Sequence, residues 1–230
     1  MPKTFKDELR ALDPFRFRSV SYSLEGEDLI LLRLFLERHH GFYMDVGALH
    51  ARRFSNTHLL SKKGWRGCNI EPNSELLKGF EKERPQDINL NIGISDQVGE
   101  LEYFMFDEPA LNTLDKPTAI QKENVLGYKL LGTKKIPVDR LENVIRKLKD
   151  HFGQKLTIDL LNIDVENHEW EVLNSNDWNQ FRPEVICVEI HVKHIEELLQ
   201  NRSYTFLTQH GYKLVAKTPM TCIFKDFERK

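Results

Sequence analysis

The sequence has few cysteines and no motif built from them. Its 230 residues include three, Cys68, Cys187 and Cys222, and no two have the C-x-x-C spacing of a structural zinc site or a redox pair. Each lies in an apolar, strand-like segment, so we expect buried free thiols in a reducing compartment. The cysteines predict neither a disulfide framework nor a structural metal centre.

Long apolar runs are also missing. The most apolar stretch, Leu29 to Leu36, contains Arg33 and is too short to span a bilayer. The segment from Met1 to Arg10 is charged and lacks the apolar core of a secretory signal. We therefore expect a cytoplasmic protein with no membrane span.

Neither sign of charge predominates. The formal net charge is -2, with 30% charged and 40% hydrophobic residues, as in ordinary soluble domains. Basic clusters such as Lys62-Lys63 and Lys134-Lys135 are short, so we expect no nucleic-acid partner. The length predicts a single domain over residues 1–230, and the sequence leaves the oligomeric state open.

Among the segments that the sequence does contain, Phe42 to Ala48 is the one around which the others are arranged. It is a short apolar strand that ends in Asp45 and is followed by Gly47. A glycine there allows a sharp turn, so a ligand can approach the main chain closely. In open α/β sheets, ligands bind at this carboxyl edge. A plain core strand would look the same, so the prediction depends on the rest of the chain.

Strand-like and helix-like segments alternate along most of the chain. Strands are predicted over residues 42–48, 67–71, 88–94, 98–106, 158–164, 185–191, 212–217 and 220–225. Helices are predicted over residues 25–38, 54–63, 73–83, 139–148, 168–174 and 195–210. This alternation favours a mostly parallel sheet with helices on both faces. The short joint Thr218-Pro219 makes the last two strands antiparallel. This arrangement resembles the α/β, Rossmann-like methyltransferase fold, which implies a mostly parallel seven-stranded sheet with an antiparallel last strand, to which the strand over residues 98–106 is an addition.

Two segments have no clean period. The first is an N-terminal lead-in over about residues 1–40, which we expect to be helical towards its end. The second, over about residues 107–135, contains Pro109, Pro117, Gly127 and Gly132, so we expect a long loop. Loops of that length in compact domains are commonly functional. Because it follows the third strand region, it can cover the carboxyl edge, and we expect a lid.

The acid at the end of the second strand indicates the type of ligand. Glu71 is spaced from Gly47 as one strand–helix–strand unit requires, and an acid there commonly binds ribose hydroxyls. The turn Gly47 to Ala51 has a single glycine, and the sequence has no P-loop motif, so nothing is built to bind a pyrophosphate. A nucleoside without phosphates fits better, and S-adenosylmethionine is the common one. Glu71 could instead be an acid that stabilises a helix N-terminus.

Eight short motifs together resemble the FkbM-type methyltransferases in order and spacing. They are Ser23 to Asp28, Asp45 to Ala48, Ser55 to Thr57, Gly64 to Gly67, Ile70 to Asn73, Asn91 to Ser95, Ile163 to Glu166 and Arg182 to Glu189. The resemblance runs from about Tyr22 to His191 and implies S-adenosylmethionine-dependent O-methylation of a saccharide or another hydroxylated natural product. One departure is Asn167, where the family usually has glycine. Asparagine tolerates the left-handed backbone that glycine adopts.

The resemblance and the strand ends together define candidate site residues. The candidates for binding S-adenosylmethionine are Asp45, Gly47, Ala48, Asn56, Thr57, Glu71, Asn91 and Ile92. The candidates for binding the acceptor are Asn112, Tyr128 and Glu166.

The chemistry needs either a general base for the acceptor hydroxyl or a divalent metal that lowers its pKa. Asp164, Glu189 and His191 are the catalytic candidates, since they follow the fourth and fifth strands. A histidine side chain titrates near neutral pH and suits a base. Asp164 with Glu189 could instead hold a metal ion through oxygen ligands.

Three functions remain open from the sequence. The first is a methyltransferase that acts on a small-molecule or glycan acceptor. The second is a module that binds S-adenosylmethionine without catalysis, against which the acids at the fourth and fifth strands argue. The third is a nucleotide-dependent oxidoreductase, which the single glycine of the turn disfavours.

Overall fold

A computed structural model describes residues 18–229 of the chain. Residues 1–17 of the predicted lead-in lie outside this range. Its described part contains helix α1, Glu27–Leu34, which is shorter at both ends than the predicted helix over residues 25–38.

Seven strands form a mostly parallel sheet, as predicted. They are β1 (Phe42–Val46), β2 (Arg66–Ile70), β3 (Ile88–Leu90), β7 (Leu160–Ile163), β8 (Val185–Glu189), β9 (Lys213–Lys217) and β10 (Thr221–Lys225). Their order across the sheet is β3-β2-β1-β7-β8-β10-β9. Strand β10 is antiparallel to both of its neighbours, which confirms the reversed last strand. The chain changes direction across the sheet between β1 and β7, so this is the switch point at which such sheets bind ligands.

Three further strands form a separate small sheet in the order β4-β6-β5. They are β4 (Gly93–Ile94), β5 (Gly99–Phe106) and β6 (Leu130–Asp139). The single strand predicted over residues 88–94 is therefore wrong. It is divided into β3 and β4, which belong to different sheets, and Asn91 lies at the division. The strand predicted over residues 98–106 is present, but it pairs with β6.

The segment predicted as a long irregular loop, residues 107–135, contains regular structure. A 3-10 turn over Pro109–Leu111 is followed by helix α4, Lys116–Asn124, and then by the first half of β6. Asp115 caps α4, since its side chain accepts a hydrogen bond from the backbone of Thr118. The prolines that suggested a loop lie at the first turn of each helix, where proline is well tolerated. We call residues 107–135 the insertion.

The remaining helices connect the strands of the large sheet. They are α2 (His58–Lys62), α3 (Ser74–Glu83), α5 (Leu141–Phe152), α6 (Glu169–Asn174), α7 (Ile195–Leu198) and α8 (Arg202–Gln209). The helix predicted over residues 54–63 begins only at His58. The continuous helix predicted over residues 195–210 is interrupted, because Asn201 caps a new helix with its side chain.

Alternate residues of β1 reach two different cores. Met44 and Val46 pack in a large apolar cluster that includes the buried face of α5. Tyr43 packs in a second cluster with Leu31 of α1 on the opposite side. Because side chains alternate along a strand, helices therefore cover both faces of the sheet.

The three cysteines are free and buried, as predicted. Across residues 18–229, none of the helices has the length and apolar character needed to span a bilayer.

Candidate functional site

Gly47 occupies the tightest point of the switch between β1 and β7. Its φ is 79°, and an added Cβ would lie 1.8 Å from the carbonyl oxygen of Asp164. The backbone N–H groups of Gly47 and Ala48 donate to the carbonyl oxygen of Ile70, at 3.0 and 3.2 Å. The turn therefore requires glycine, both for its backbone angle and for the close approach of β7.

A cavity of ≈ 370 Å³ opens at this carboxyl edge of the sheet. Ligand pockets usually have volumes of this order. Eleven of the fourteen predicted site residues line it: Asp45, Gly47, Ala48, Asn56, Glu71, Ile92, Asn112, Tyr128, Asp164, Glu166 and Glu189. The structure thus places candidate donor-binding and acceptor-binding residues around one space.

The carboxylate of Glu71 is buried at the end of β2 and is fixed by backbone donors. One oxygen accepts from the N–H of Leu49 at 3.0 Å and the other from the N–H of Asn73 at 2.8 Å. Tyr103 of the small sheet donates its hydroxyl to the same carboxylate at 3.4 Å. Burial raises the pKa of Glu71 to about 7, against the effect of the two backbone hydrogen bonds. A carboxylate has about four acceptor positions, so Glu71 retains capacity for ligand hydroxyls.

A buried network holds Asp45 at the end of β1. Its two carboxylate oxygens accept from Thr57 Oγ1 at 2.6 Å and Asn162 Nδ2 at 2.8 Å. Asn56 donates to the side-chain oxygen of Asn162, at 3.0 Å. Arg84, which directly follows α3, donates to Thr57 Oγ1 at 2.8 Å and thereby links the end of that helix to the network. Burial raises the pKa of Asp45 above its ordinary value.

Three predicted site residues are not part of the cavity wall. Thr57 is fully buried behind Asp45. Asn91 donates to the backbone carbonyls of Glu71 and Pro72, at 2.9 and 2.7 Å, so it supports the turn after β2. His191 is exposed, and its Nε2 lies 2.7 Å from Glu189 Oε1. Each of the three therefore contacts a lining residue or its backbone.

Three carboxyl groups meet at the ends of β7 and β8. Single carboxylate oxygens of Asp164, Glu166 and Glu189 all lie within 4.8 Å of one another. Burial raises the pKa of Asp164 well above its ordinary value, and the neighbouring carboxylate of Glu189 adds to the effect. Burial likewise raises the pKa of Glu189 to about 9. We call these three residues the acid cluster.

Backbone strain is concentrated beside the acid cluster. Glu166 and Asn167 have φ values of 57° and 75°. Asn167 thus adopts the left-handed conformation, which asparagine tolerates better than most residues. A left-handed backbone is uncommon for a residue such as glutamate and is typical of functional turns.

The insertion supplies contacts that the sequence did not indicate. Lys122 Nζ lies 2.6 Å from Glu166 Oε2, and both side chains are largely buried. Thr113 Oγ1 donates to the backbone oxygen of Glu166 at 2.7 Å. Asn112 accepts from the N–H of Phe106 at 2.8 Å and lines the cavity. Lys122 lies 44 residues before Glu166, so only the fold could identify the pair.

The rim of the cavity carries charged and aromatic side chains. Arg53 pairs with Glu108 of the insertion through two hydrogen bonds of 3.0 and 2.7 Å. Phe54, which has a φ of 56°, and Tyr128 are both partly exposed there. These rings leave room for an acceptor to contact the rim.

The order of the large sheet and the cavity at its switch point are those of a Rossmann-like α/β domain. A family model described as the methyltransferase FkbM domain matches residues 45–214. The chain belongs to this family, and it is therefore a methyltransferase whose family implies S-adenosylmethionine as the methyl donor.

Two further comparisons were made. No curated protein matches the sequence significantly. Among solved structures, the chain is similar to PH1948 from Pyrococcus horikoshii, described as a candidate RNA methyltransferase. The TM-score is 0.40 and the identity 11%, over 95% of each chain.

Proposed function

We propose that this protein is an O-methyltransferase that transfers a methyl group to a hydroxyl of a saccharide or glycoconjugate precursor. The observation that carries the proposal is the placing of Glu71 and the acid cluster around one cavity. Glu71 suits the ribose of a nucleoside donor, and the acid cluster suits activation of a hydroxyl. The alternative acceptor is another hydroxylated natural product.

The donor half of the cavity fits S-adenosylmethionine by its chemistry. Glu71 offers a buried carboxylate to two ribose hydroxyls, and Gly47 forms part of the cavity wall without a side chain. Asp45 offers negative charge towards the positively charged amino-acid end of the donor. Ile92 adds an apolar surface, and Asn56 holds Asn162 against Asp45.

The acceptor half would work by positioning and proton transfer. S-adenosylmethionine supplies the methyl group, and the acceptor oxygen bonds to the methyl carbon as the sulfur–carbon bond breaks. Alignment of reacting atoms contributes roughly 7–11 kcal/mol to such reactions. Asp164 and Glu189 have raised pKa values, and a base with a pKa near the working pH is the most effective. The ionised form of Asp164 or Glu189 would take the acceptor proton, and His191 would pass it from Glu189 to solvent.

A divalent cation at the acid cluster is the alternative route to an activated hydroxyl. Asp164 and Glu189 would then supply oxygen ligands, as hard cations prefer. Activity measured after thorough chelation with EDTA separates the two routes. Full activity would favour the base, and loss restored by added Mg²⁺ would favour the metal.

The charge of the cavity favours an acceptor without phosphate groups. Eight carboxyl residues line it: Glu25, Glu27, Asp45, Glu71, Glu108, Asp164, Glu166 and Glu189. Arg53 is the single lysine or arginine among the described lining residues, and it is already paired with Glu108. Such a wall offers a phosphate group no unpaired cation among the described lining residues, so a neutral polyhydroxyl compound fits better than a nucleic acid.

The experiment that tests the proposal has two steps. Thermal shift with S-adenosylhomocysteine should raise the melting temperature, whereas NAD should not. Labelled S-adenosylmethionine is then incubated with fractionated saccharides and polysaccharide precursors. Label transferred to a hydroxyl supports the proposal. Donor binding without transfer to any fraction would favour a non-catalytic binding module.

A further inference from the structure

Lys122 is an ammonium group buried among acids. Its side chain is 6% exposed, and its Nζ lies 2.6 Å from Glu166 Oε2 and donates to the carbonyl oxygen of Leu111 at 2.9 Å. Lysine is almost never so buried unless it is paired. The positive charge of Lys122 also favours the ionised form of Glu189 and so offsets part of the rise in pKa that burial causes there.

The insertion holds Glu166 at two points. Lys122 binds its carboxylate, and Thr113 Oγ1 donates to its backbone oxygen at 2.7 Å. Thr113 is itself oriented by the backbone N–H of Asp115, which donates to the same Oγ1 at 2.9 Å. These contacts support the left-handed backbone of Glu166. The insertion therefore fixes both the direction of the Glu166 side chain and the turn that carries it.

We propose that Lys122 is the positioning residue of the acid cluster and its built-in counter-cation, in the place that a divalent metal would otherwise take. The proposal rests on the function proposed above. With Glu166 engaged by the ammonium, Asp164 and Glu189 are left to act on the acceptor. A charge fixed by the fold requires no ion from solution and orients Glu166 permanently.

Electrostatics supports this assignment. Three carboxyl groups within 4.8 Å of one another repel when they are ionised. One buried ammonium at 2.6 Å offsets part of that repulsion. A hard cation prefers several free carboxylate oxygens, and the salt bridge already occupies Oε2 of Glu166. Loss of the ammonium should therefore free the Glu166 carboxylate as a ligand and create a metal site at the cluster.

Lys122→Met and Lys122→Arg test the proposal, with Lys116→Met as the control. Lys116 begins the same helix but is exposed. In Lys122→Met we expect the acceptor KM to rise or kcat to fall by roughly tenfold or more, as loss of a charged hydrogen bond implies. Affinity for S-adenosylhomocysteine, measured by calorimetry, should stay within about twofold of that of the native protein, because Lys122 is not part of the cavity wall. Lys122→Arg should recover part of the loss.

A Mn²⁺ titration followed by electron paramagnetic resonance gives a readout that needs no turnover. We expect Lys122→Met to bind one Mn²⁺ and the native protein to bind none at the cluster. The proposal would be overturned if the native protein bound one Mn²⁺ and the Asp164→Asn variant bound none. It would also be overturned if Lys122→Met and Lys116→Met gave the same Mn²⁺ binding and the same kinetics. If Lys122→Met fails to fold, Thr113→Val removes the second contact to Glu166 and should raise the acceptor KM. An unchanged KM would count against the proposal.

If no saccharide accepts label in the native protein, the proposed function fails, while the Mn²⁺ result still decides the role of Lys122.

Discussion

Glu71 has two oxygens that are already fixed by the backbone before any ligand binds, so its orientation costs a ligand nothing. Glu71→Ala removes the charged acceptor for two ribose hydroxyls. Charge-assisted hydrogen bonds contribute about 1.5–3 kcal/mol, so affinity for S-adenosylhomocysteine should fall at least roughly tenfold. Calorimetric titration measures it. Glu75→Ala is the control, because Glu75 lies four residues after Glu71 and its side chain is 72% exposed. Equal affinities in the two folded variants would refute the assignment.

The titration of Glu71 makes donor binding depend on pH. Burial raises its pKa to about 7, and only the ionised carboxylate accepts from both ribose hydroxyls. Affinity for S-adenosylhomocysteine should therefore rise as pH increases from about 6 to 8, with most of the change near 7. Glu71→Gln should remove this component. A native protein whose affinity is flat over this range would contradict the role of Glu71.

Gly47 can be tested by its effect on stability. In Gly47→Ala the new Cβ meets the carbonyl oxygen of Asp164, and alanine is strained at a φ of 79°. We expect a loss of at least about 2 kcal/mol in the free energy of unfolding, measured by urea denaturation. Gly79→Ala is the matched control, since Gly79 lies within α3 with nothing within 4 Å of an added Cβ. That variant should gain about 0.5–1 kcal/mol.

At the scale of elements, the insertion differs most from its prediction. Its prolines and glycines indicated a loop, yet proline at a first turn is compatible with helix. Strand β6 depends on pairing with β5 and β4, which are distant from it in sequence. The divided strand over residues 88–94 has the same cause. Short apolar runs do not specify which sheet they join. The parallel strands of the large sheet were predictable from apolar runs of clear length, and its reversed last strand from the short joint Thr218-Pro219.

The site was predictable as far as its residues follow strands. Asp45, Glu71, Asp164 and Glu189 all come directly after the apolar part of a strand, so the parallel sheet brings them to one edge. Lys122 gave no such signal. It lies on a helix of the insertion, and its pairing with Glu166 depends on how that helix packs.

The insertion remains our candidate for a lid. It contributes Glu108 to Leu114 and Tyr128 to the cavity wall, and its outer part, residues 123–129, is exposed. We predict that limited proteolysis cuts within residues 116–135 of the free protein. Cleavage should slow when S-adenosylhomocysteine and an acceptor are both present, because a closed lid is protected. An unchanged cleavage rate with both ligands at saturation would show that the insertion does not close.

At the scale of the whole molecule, the buried acids should make stability depend on pH. Burial raises the pKa of Glu169 to about 7 and of Glu189 to about 9, from an ordinary value of 4.5. For each group, the folded chain binds more protons than the unfolded chain at pH values between 4.5 and the raised pKa. The free energy of unfolding therefore falls as pH rises through that range. The pKa values of His58 and His168 are lowered from 6.5, so these two groups make the protein more stable as pH rises towards 6.5. A comparison of pH 7 with pH 9 lies above that range.

Urea denaturation at pH 7 and pH 9 measures this effect. The native protein should be less stable at pH 9, and Glu189→Gln should reduce the difference because glutamine does not ionise. If the native protein is more stable at pH 9 than at pH 7, ionisation of Glu169 and Glu189 does not destabilise the folded chain, and the prediction is wrong.

The central claim is that one cavity binds the donor beside β1 and β2 and activates an acceptor hydroxyl beside β7 and β8. Transfer of labelled methyl from S-adenosylmethionine to carbohydrate acceptors, compared between the native protein and Asp164→Asn at saturating donor, tests it most directly. The account predicts label on a hydroxyl with the native protein and a loss of roughly 10²-fold or more in Asp164→Asn. Label transferred at the native rate by Asp164→Asn would contradict it.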